Sequence, residues 1–442
     1  MTRPSAASDS HRSNRRDFLK TTSTLAAAGA LAGGLSIGRT AHAAGDDVLK
    51  IGLIGCGGRG TGAAMNALGA DKNCKLVAMA DVFGDHLKGS LNNIKKAAGD
   101  KVAVDPDHCF VGFDAAEKLI QSDVDVVLLC TPPHFRPAHL KLAVEAGKHV
   151  FAEKPVAVDA PGVRSVLATV EEAKKKRLSL VSGLVWRYDS GVRATMQRVL
   201  DGAVGQIQTI RETYLGNRLS FRPRKPEWSE MEYQLRNWQY FVWLGGDFNT
   251  EQHVHSLDKA AWAMRDQPPA RAFGIGGRQC RKAVEGDVYD HHAVVYEYGG
   301  DQNGVQVYSY CRQIQGCYDD VSDLIIGTKG RANILKHTIA GENRWTYSGP
   351  KPSMFDVEHQ QLFTAIRSGN PVNNGEYMAK STMWAILGRM ANYSGQMLTW
   401  EQALNSQQVL APATYSLDAN PPTMPRKDGS YPIAMPGETK FV

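Results

Sequence analysis

The sequence has no CxxC pair, and its seven cysteines are an odd number: Cys56, Cys74, Cys109, Cys130, Cys280, Cys311 and Cys317. Their spacings fit no zinc site, so a structural zinc is set aside and most of the thiols read as small buried residues. No apolar stretch is long enough for a membrane-spanning helix; the run at 25–38 is short and rich in Ala and Gly. Charge of one sign is scarce too. The formal net charge is +6, but the first 43 residues hold six Lys/Arg against two Asp, so the remainder carries about +2. Neither nucleic acid nor an anionic membrane surface is expected as a partner.

That first segment has its own character. Arg15 and Arg16 precede Asp17-Phe18-Leu19-Lys20, then the apolar run, then Ala41-His42-Ala43. A basic start, a short apolar middle and a small-residue cleavage site predict a removable signal over 1–43. The paired arginines point to the twin-arginine route, which carries folded proteins, and so to a periplasmic or secreted product without a membrane anchor. Disulfides are then not expected to organise the fold. The mature chain exceeds one ordinary core, which predicts two domains, 44–176 and 177–411, and a Pro/Gly-rich extended tail at 412–442.

An alternating apolar run at 48–54 leads into Gly55-Cys56-Gly57-Gly58-Arg59-Gly60 and then a helical stretch at 61–68. This is a GxGxxG loop between strand and helix. Its first glycine permits a tight turn, its second lets the backbone approach a pyrophosphate, and its third allows close strand–helix packing. A second strand at 75–80 ends at Asp81, where an acid can bind ribose hydroxyls and repel a ribose phosphate. NAD is therefore the expected cofactor, ahead of NADP. Helices at 115–121, 138–146 and 160–176 then alternate with near-continuous apolar strands at 124–130 and 149–152. The pattern predicts a Rossmann doubly wound parallel sheet, with ligands at the carboxyl ends of its strands. Two clusters fall there: Thr131-Pro132-Pro133-His134 and Glu153-Lys154-Pro155. Beyond 177 the strands follow one another, including a long hairpin over 288–298 and 305–311. They predict an α+β domain with a largely antiparallel sheet, one face for substrate and one for an oligomer contact, closed by helices at 356–367 and 376–393.

These motifs resemble the Gfo/Idh/MocA family of sugar and cyclitol oxidoreductases. AGKHVFAEKP (146–155) is close to its most recognisable motif, and GGDFNTEQHVHSLD (245–258) resembles its glycine pair followed by acid, histidine and acid, here Glu251, His255 and Asp258. GTKG (327–330) and EHQQLFTAIRSGNP extend the likeness over most of the mature chain. Glu251 stands where the family commonly has aspartate, and Arg136 where many relatives have histidine. Residues 249–253 depart from the tyrosine–proline–threonine–histidine segment of the family's redox-assisted glycoside hydrolases.

Spacing of four and seven predicts Glu251, His255 and Asp258 on one helix face. A histidine there can take a hydroxyl proton while the carbinol carbon gives hydride to a nicotinamide, and Lys154 can stabilise the alkoxide. The resemblance implies the same pair. Glu251 or Asp258 would orient the imidazole or bind a substrate hydroxyl. No metal is expected, since Glu251 and His255 lack a third ligand at familiar spacing. The expected cofactor set is Gly55, Gly57, Gly58, Arg59, Gly60, Asp81, Thr131, Pro132, His134, Glu153 and Lys154, with Arg187 and Tyr188 as substrate contacts. The aromatic segment 221–244, with Arg222, Arg224 and Arg236, either packs beneath an insertion or stacks on a sugar. Export of a dinucleotide enzyme implies an NAD carried out inside the protein. Three functions follow: oxidation of a sugar-like carbinol, a redox-neutral glycoside hydrolase or epimerase, or a binding protein that has lost turnover. The partners expected are a small carbohydrate-like substrate and a second copy of the chain, as a dimer or tetramer.

Overall fold

A computed structural model describes residues 47–300 and 304–441. The signal expected at 1–43 lies outside them. Among the described residues the first sheet holds β1 (Leu49–Ile54), β2 (Cys74–Asp81), β3 (Cys109–Val111), β4 (Val126–Leu129), β5 (His149–Ala152) and β6 (Leu180–Ser182), all parallel, in the order β3-β2-β1-β4-β5-β6. The β4 side chains are all buried, because helices cover both faces. The helix Ala160–Lys175 shows how the sequence builds that cover. Asp159 accepts a hydrogen bond from the Gly162 amide, Pro161 suits the first turn, and Val163, Val166, Val170 and Ala173 form the buried stripe. The sheet takes in β6, past residue 176.

A second sheet comprises β7 (Ile207–Gly216), β8 (Arg271–Gly277), β9 (His291–Glu297), β10 (Gln306–Gln313), β11 (Asp320–Gly327), β12 (Gly330–Asn333), β13 (Thr338–Gly341), β14 (Trp345–Thr346) and β15 (Leu398–Thr399). Their order is β14-β13-β12-β11-β7-β10-β9-β8-β15, antiparallel except where β7 and β10 run parallel. Burial alternates along β9 and β10. The inner face lies against the helix Gly375–Ser394, where Trp384 stacks on Tyr296. The outer face leaves Phe273, Tyr310, Ile326 and the 77% exposed Ile275 open.

A third, smaller core joins segment 221–244 to the first domain and the C-terminal stretch. Met231, Tyr233, Tyr240, Phe241 and Trp243 pack with Phe83 and Tyr431, and Phe135, Trp238 and Leu417 lie against them. Residues 412–441 contain no helix or strand, yet they are tied down along their length: Ser229 Oγ donates to the Leu417 carbonyl, Gln234 Nε2 to the Thr423 carbonyl at 2.7 Å, and Tyr431 Oη to Glu230 at 2.6 Å.

Candidate active site

The glycine loop is shaped by two steric demands. Gly55 has φ +94°, and a Cβ there would stand 2.6 Å from the Cys130 backbone; a Cβ on Gly60 would stand 1.9 Å from the Gly55 carbonyl oxygen. Above Gly57 and Gly58, by contrast, a Cβ would meet nothing within 4 Å, and that open surface borders a cleft. The helix Gly58–Ala70 starts at Gly57 with no side-chain cap and no acid in its first turn. Its free amides and positive dipole end are left for a pyrophosphate.

Asp81 borders the same cleft, and its two oxygens accept from the Cys56 amide at 2.7 Å and the Phe83 amide at 2.8 Å. Burial raises its pKa. The carboxylate thus braces the loop as well as facing the ribose position, with lone pairs remaining for a hydroxyl. Thr131 and Pro132 line the cleft, as do His139 and Phe113, which the motifs did not indicate. So do Leu235 and Trp238. The aromatic segment therefore packs as a core and also walls the cleft; its tryptophans are not presented as an open sugar platform. Arg236 stacks 3.9 Å from the Phe83 ring centre and pairs with Asp85 at 3.1 Å, and Arg224 pairs with Glu230 at 2.6 Å. Neither is left for an acidic sugar.

Arg59 also lines the cleft, while Glu153 and His134 act one step back. The Arg59 guanidinium pairs with Glu153 and, at 2.6 Å, with Glu358, and it lies over Phe151 and Phe355. Against burial, Arg59 and Arg136 hold Glu153 below the usual carboxylate range, while burial and Glu153 push Glu358 well above it. Glu153 also accepts from the Lys154 amide at 2.9 Å, which fixes the EKP turn. Arg136 donates to the Thr131 carbonyl at 2.5 Å and to the Pro155 carbonyl, joining the two strand-end clusters. His134 bonds Tyr415 at 2.8 Å, and burial lowers its pKa to about 4.

At the end of β5, Lys154 Nζ donates to the Glu251 carbonyl at 2.6 Å and to Glu251 Oε1 at 3.1 Å. Glu251 Oε2 and His255 Nδ1 are buried with no partner among the described residues. Burial, then the charges of Lys154, Lys259 and Arg59, holds His255 well below its ordinary pKa of 6.5. A neutral imidazole, an ammonium and two unmatched polar atoms make a site suited to a polar, proton-donating ligand. Tyr214, missed in the sequence, joins this side through Gln252, whose Nε2 donates to its hydroxyl at 2.7 Å.

The single-face helix is corrected. Phe248–Glu251 is one turn, the chain breaks regular helix at 252–253, and the helix proper is Val254–Ala263. The carboxylate of Asp258 is taken up by Arg187 at 2.9 Å and Ser381 at 2.8 Å. Arg187, which also pairs with Asp266 at 2.5 Å and faces Tyr377, is fully occupied within the protein. Tyr188 is buried, its hydroxyl donating to Asn374 at 2.7 Å. Neither expected substrate contact is presented to a ligand. Both fill gaps behind the site, a role that spacing alone does not reveal.

Residues 49–181 match the family model described as oxidoreductase family, NAD-binding Rossmann fold. An inositol 2-dehydrogenase of Rhizobium meliloti is 28% identical over 220 residues, covering 50% of this chain and 56% of the relative. A glycosyl hydrolase family 109 protein of Bacteroides fragilis is 24% identical over 300 residues, covering 66% of this chain and 56% of that one. The chain thus spans just over half the length of these relatives. A crystal structure of scyllo-inositol dehydrogenase from Lactobacillus casei, with bound NAD(H) and scyllo-inositol, shares the fold with a TM-score of 0.60, at 21% identity over 80% of this chain and 100% of that one.

Proposed function

We propose that the chain, which matches the Gfo/Idh/MocA oxidoreductase family over residues 49–181, oxidises a secondary hydroxyl of a sugar or cyclitol with NAD. The observation that carries this reading is the junction of Lys154, Glu251 and His255 at the carboxyl end of β5, with Glu251 Oε2 and His255 Nδ1 unmatched. Bound NAD supplies the hydride acceptor. The imidazole of His255, held neutral, takes the hydroxyl proton as the carbinol hydrogen leaves. Lys154 stabilises the oxygen as it becomes alkoxide, and Glu251 keeps the ammonium in place. The inositol 2-dehydrogenase relative of Rhizobium meliloti supports the substrate class. Myo-inositol and simple aldoses, offered with NAD, should produce NADH absorbance in the wild type and not in His255→Asn. No turnover on any polyol would overturn the reading.

The finer proposal is a captive cofactor. Trp238 and Leu235 wall the dinucleotide cleft, and the segment carrying them is fastened by Arg236–Asp85 and by the C-terminal stretch. A cofactor enclosed in this way suits export of the folded protein by the twin-arginine route to the periplasm or beyond, where no free NAD pool recharges it. It also favours a redox-neutral cycle, in which one sugar is oxidised and another reduced, or a transient ketone permits epimerisation or glycoside cleavage. The glycosyl hydrolase relative supports the last version, and the departure at 249–253 speaks against it. Cleavage of a chromogenic glycoside without net NADH would decide for it. Among the described residues no helix is long and apolar enough to cross a membrane. The uncovered outer face of the second sheet supports assembly as a dimer or tetramer.

A further inference from the structure

The residues expected to orient His255 are engaged elsewhere. Asp258 is held by Arg187 and Ser381, Glu251 by Lys154, and the imidazole Nδ1 has no partner among the described residues. The direction of this ring must then come from the backbone that carries it. One turn further along the same helix, Lys259 is 1% exposed, and its Nζ donates to the His255 carbonyl oxygen at 2.6 Å. The same ammonium lies 3.0 Å from Asp323 Oδ2 and 5.3 Å from the centre of the Trp186 ring.

Asp323 on β11 stands directly opposite Glu212 on β7, and both are fully buried. Two carboxyl groups this close in a dry core cannot both ionise. Burial and the Asp323 charge push Glu212 well above the carboxylate range; against burial, Lys259 holds Asp323 below it. Glu212 therefore favours its protonated form, and Asp323, beside Lys259, its charged one. A buried ion pair is seldom a net source of stability compared with well-packed apolar side chains. What it fixes is direction. The sheet also grips the helix start next door, where His253 Nε2 bonds Ser309 Oγ on β10 at 2.7 Å.

We propose that Lys259, seated on the Glu212–Asp323 pair, is a positioning residue for His255: it clamps the His255 carbonyl and so sets the ring against Lys154 and the substrate. This rests on the reading of His255 as the proton acceptor, and it reaches residues that never touch substrate.

The test uses the full mature protein labelled with 15N-histidine, the His255 ring signals being assigned by their absence in His255→Asn. In Lys259→Met those signals should move or broaden. The kcat on myo-inositol with NAD should fall roughly 10–100-fold, while NADH affinity changes less than about threefold. Because Lys259→Met strands a buried carboxylate, Lys259→Met/Asp323→Asn removes both charges and should show the same displaced ring signals. Wild-type ring signals in the folded double variant would overturn the proposal. If no polyol is turned over by the wild type, the dehydrogenase reading fails, and the ring signals still judge Lys259.

Discussion

His255, the proton acceptor proposed above, sits in an environment that keeps protons off it. Burial comes first, followed by the positive charges of Lys154, Lys259 and Arg59. A base whose pKa is depressed stays functional until the pH falls through that lowered value. The kcat/KM profile should therefore remain flat as pH falls from about 8 through 6.5, the ordinary histidine value, and decline only below it. A decline beginning near neutrality would contradict the role given to His255. Removing the imidazole in His255→Asn should cost roughly 10²–10⁴-fold in kcat with NADH binding retained, as read by fluorescence titration. Lys154→Met should cost on the order of 10²-fold through loss of alkoxide stabilisation. At this scale the motif residues were legible because their chemistry is local. The partners of Arg59, Asp258 and Arg187 were not: the Arg59–Glu358 pair joins residues 299 positions apart.

Among the elements, β1, β2, β4 and β5 could be read as short apolar runs and the three-residue β3 and β6 could not; the glycine loop could be read because Gly55 and Gly60 answer steric needs while Gly57 and Gly58 leave the cleft open. The 252–253 break in the catalytic segment was hidden. The helical spacing of Glu251, His255 and Asp258 is real in sequence, but Asp247 at φ +78°, held by His292 and Tyr393, sets the chain's direction before it. The walling segment was hidden for another reason. Its aromatic residues have no helical or strand period, and its contacts reach Phe83 and Tyr431 far along the chain. Its importance can be measured. Trp238→Ala opens the cleft wall and, with Arg236→Ala beside it, should speed NAD release by roughly tenfold or more, as followed by loss of bound-NADH fluorescence on dilution. Release at the wild-type rate would show that the segment does not retain the cofactor.

For the whole molecule, the two sheets divide the work. The first presents a dinucleotide cleft at its strand ends, and the second carries Glu212, Tyr214 and Asp323 beneath and beside the helix Val254–Ala263. Its other face is open and carries exposed apolar side chains, with Ile275 and Phe273 on β8 and Tyr310 on β10, the two strands that flank β9. If copies of the chain meet there, Ile275→Glu should reduce the mass seen by light scattering to that of a smaller species while leaving the circular dichroism unchanged. An unchanged mass would place any assembly elsewhere. The two-sheet plan was legible from the switch between alternating strands and helices and consecutive strands. The uneven closure of the second sheet, with β7 and β10 parallel, was not, since register depends on partners distant in sequence.

If NAD is a resident part of the protein, as proposed, the most direct measurement is the nucleotide content of the purified protein. The protein would be prepared without added cofactor, denatured, and its supernatant read by absorbance and mass. The account predicts close to one NAD or NADH per chain. A protein that comes out empty and binds added NAD only weakly would contradict it.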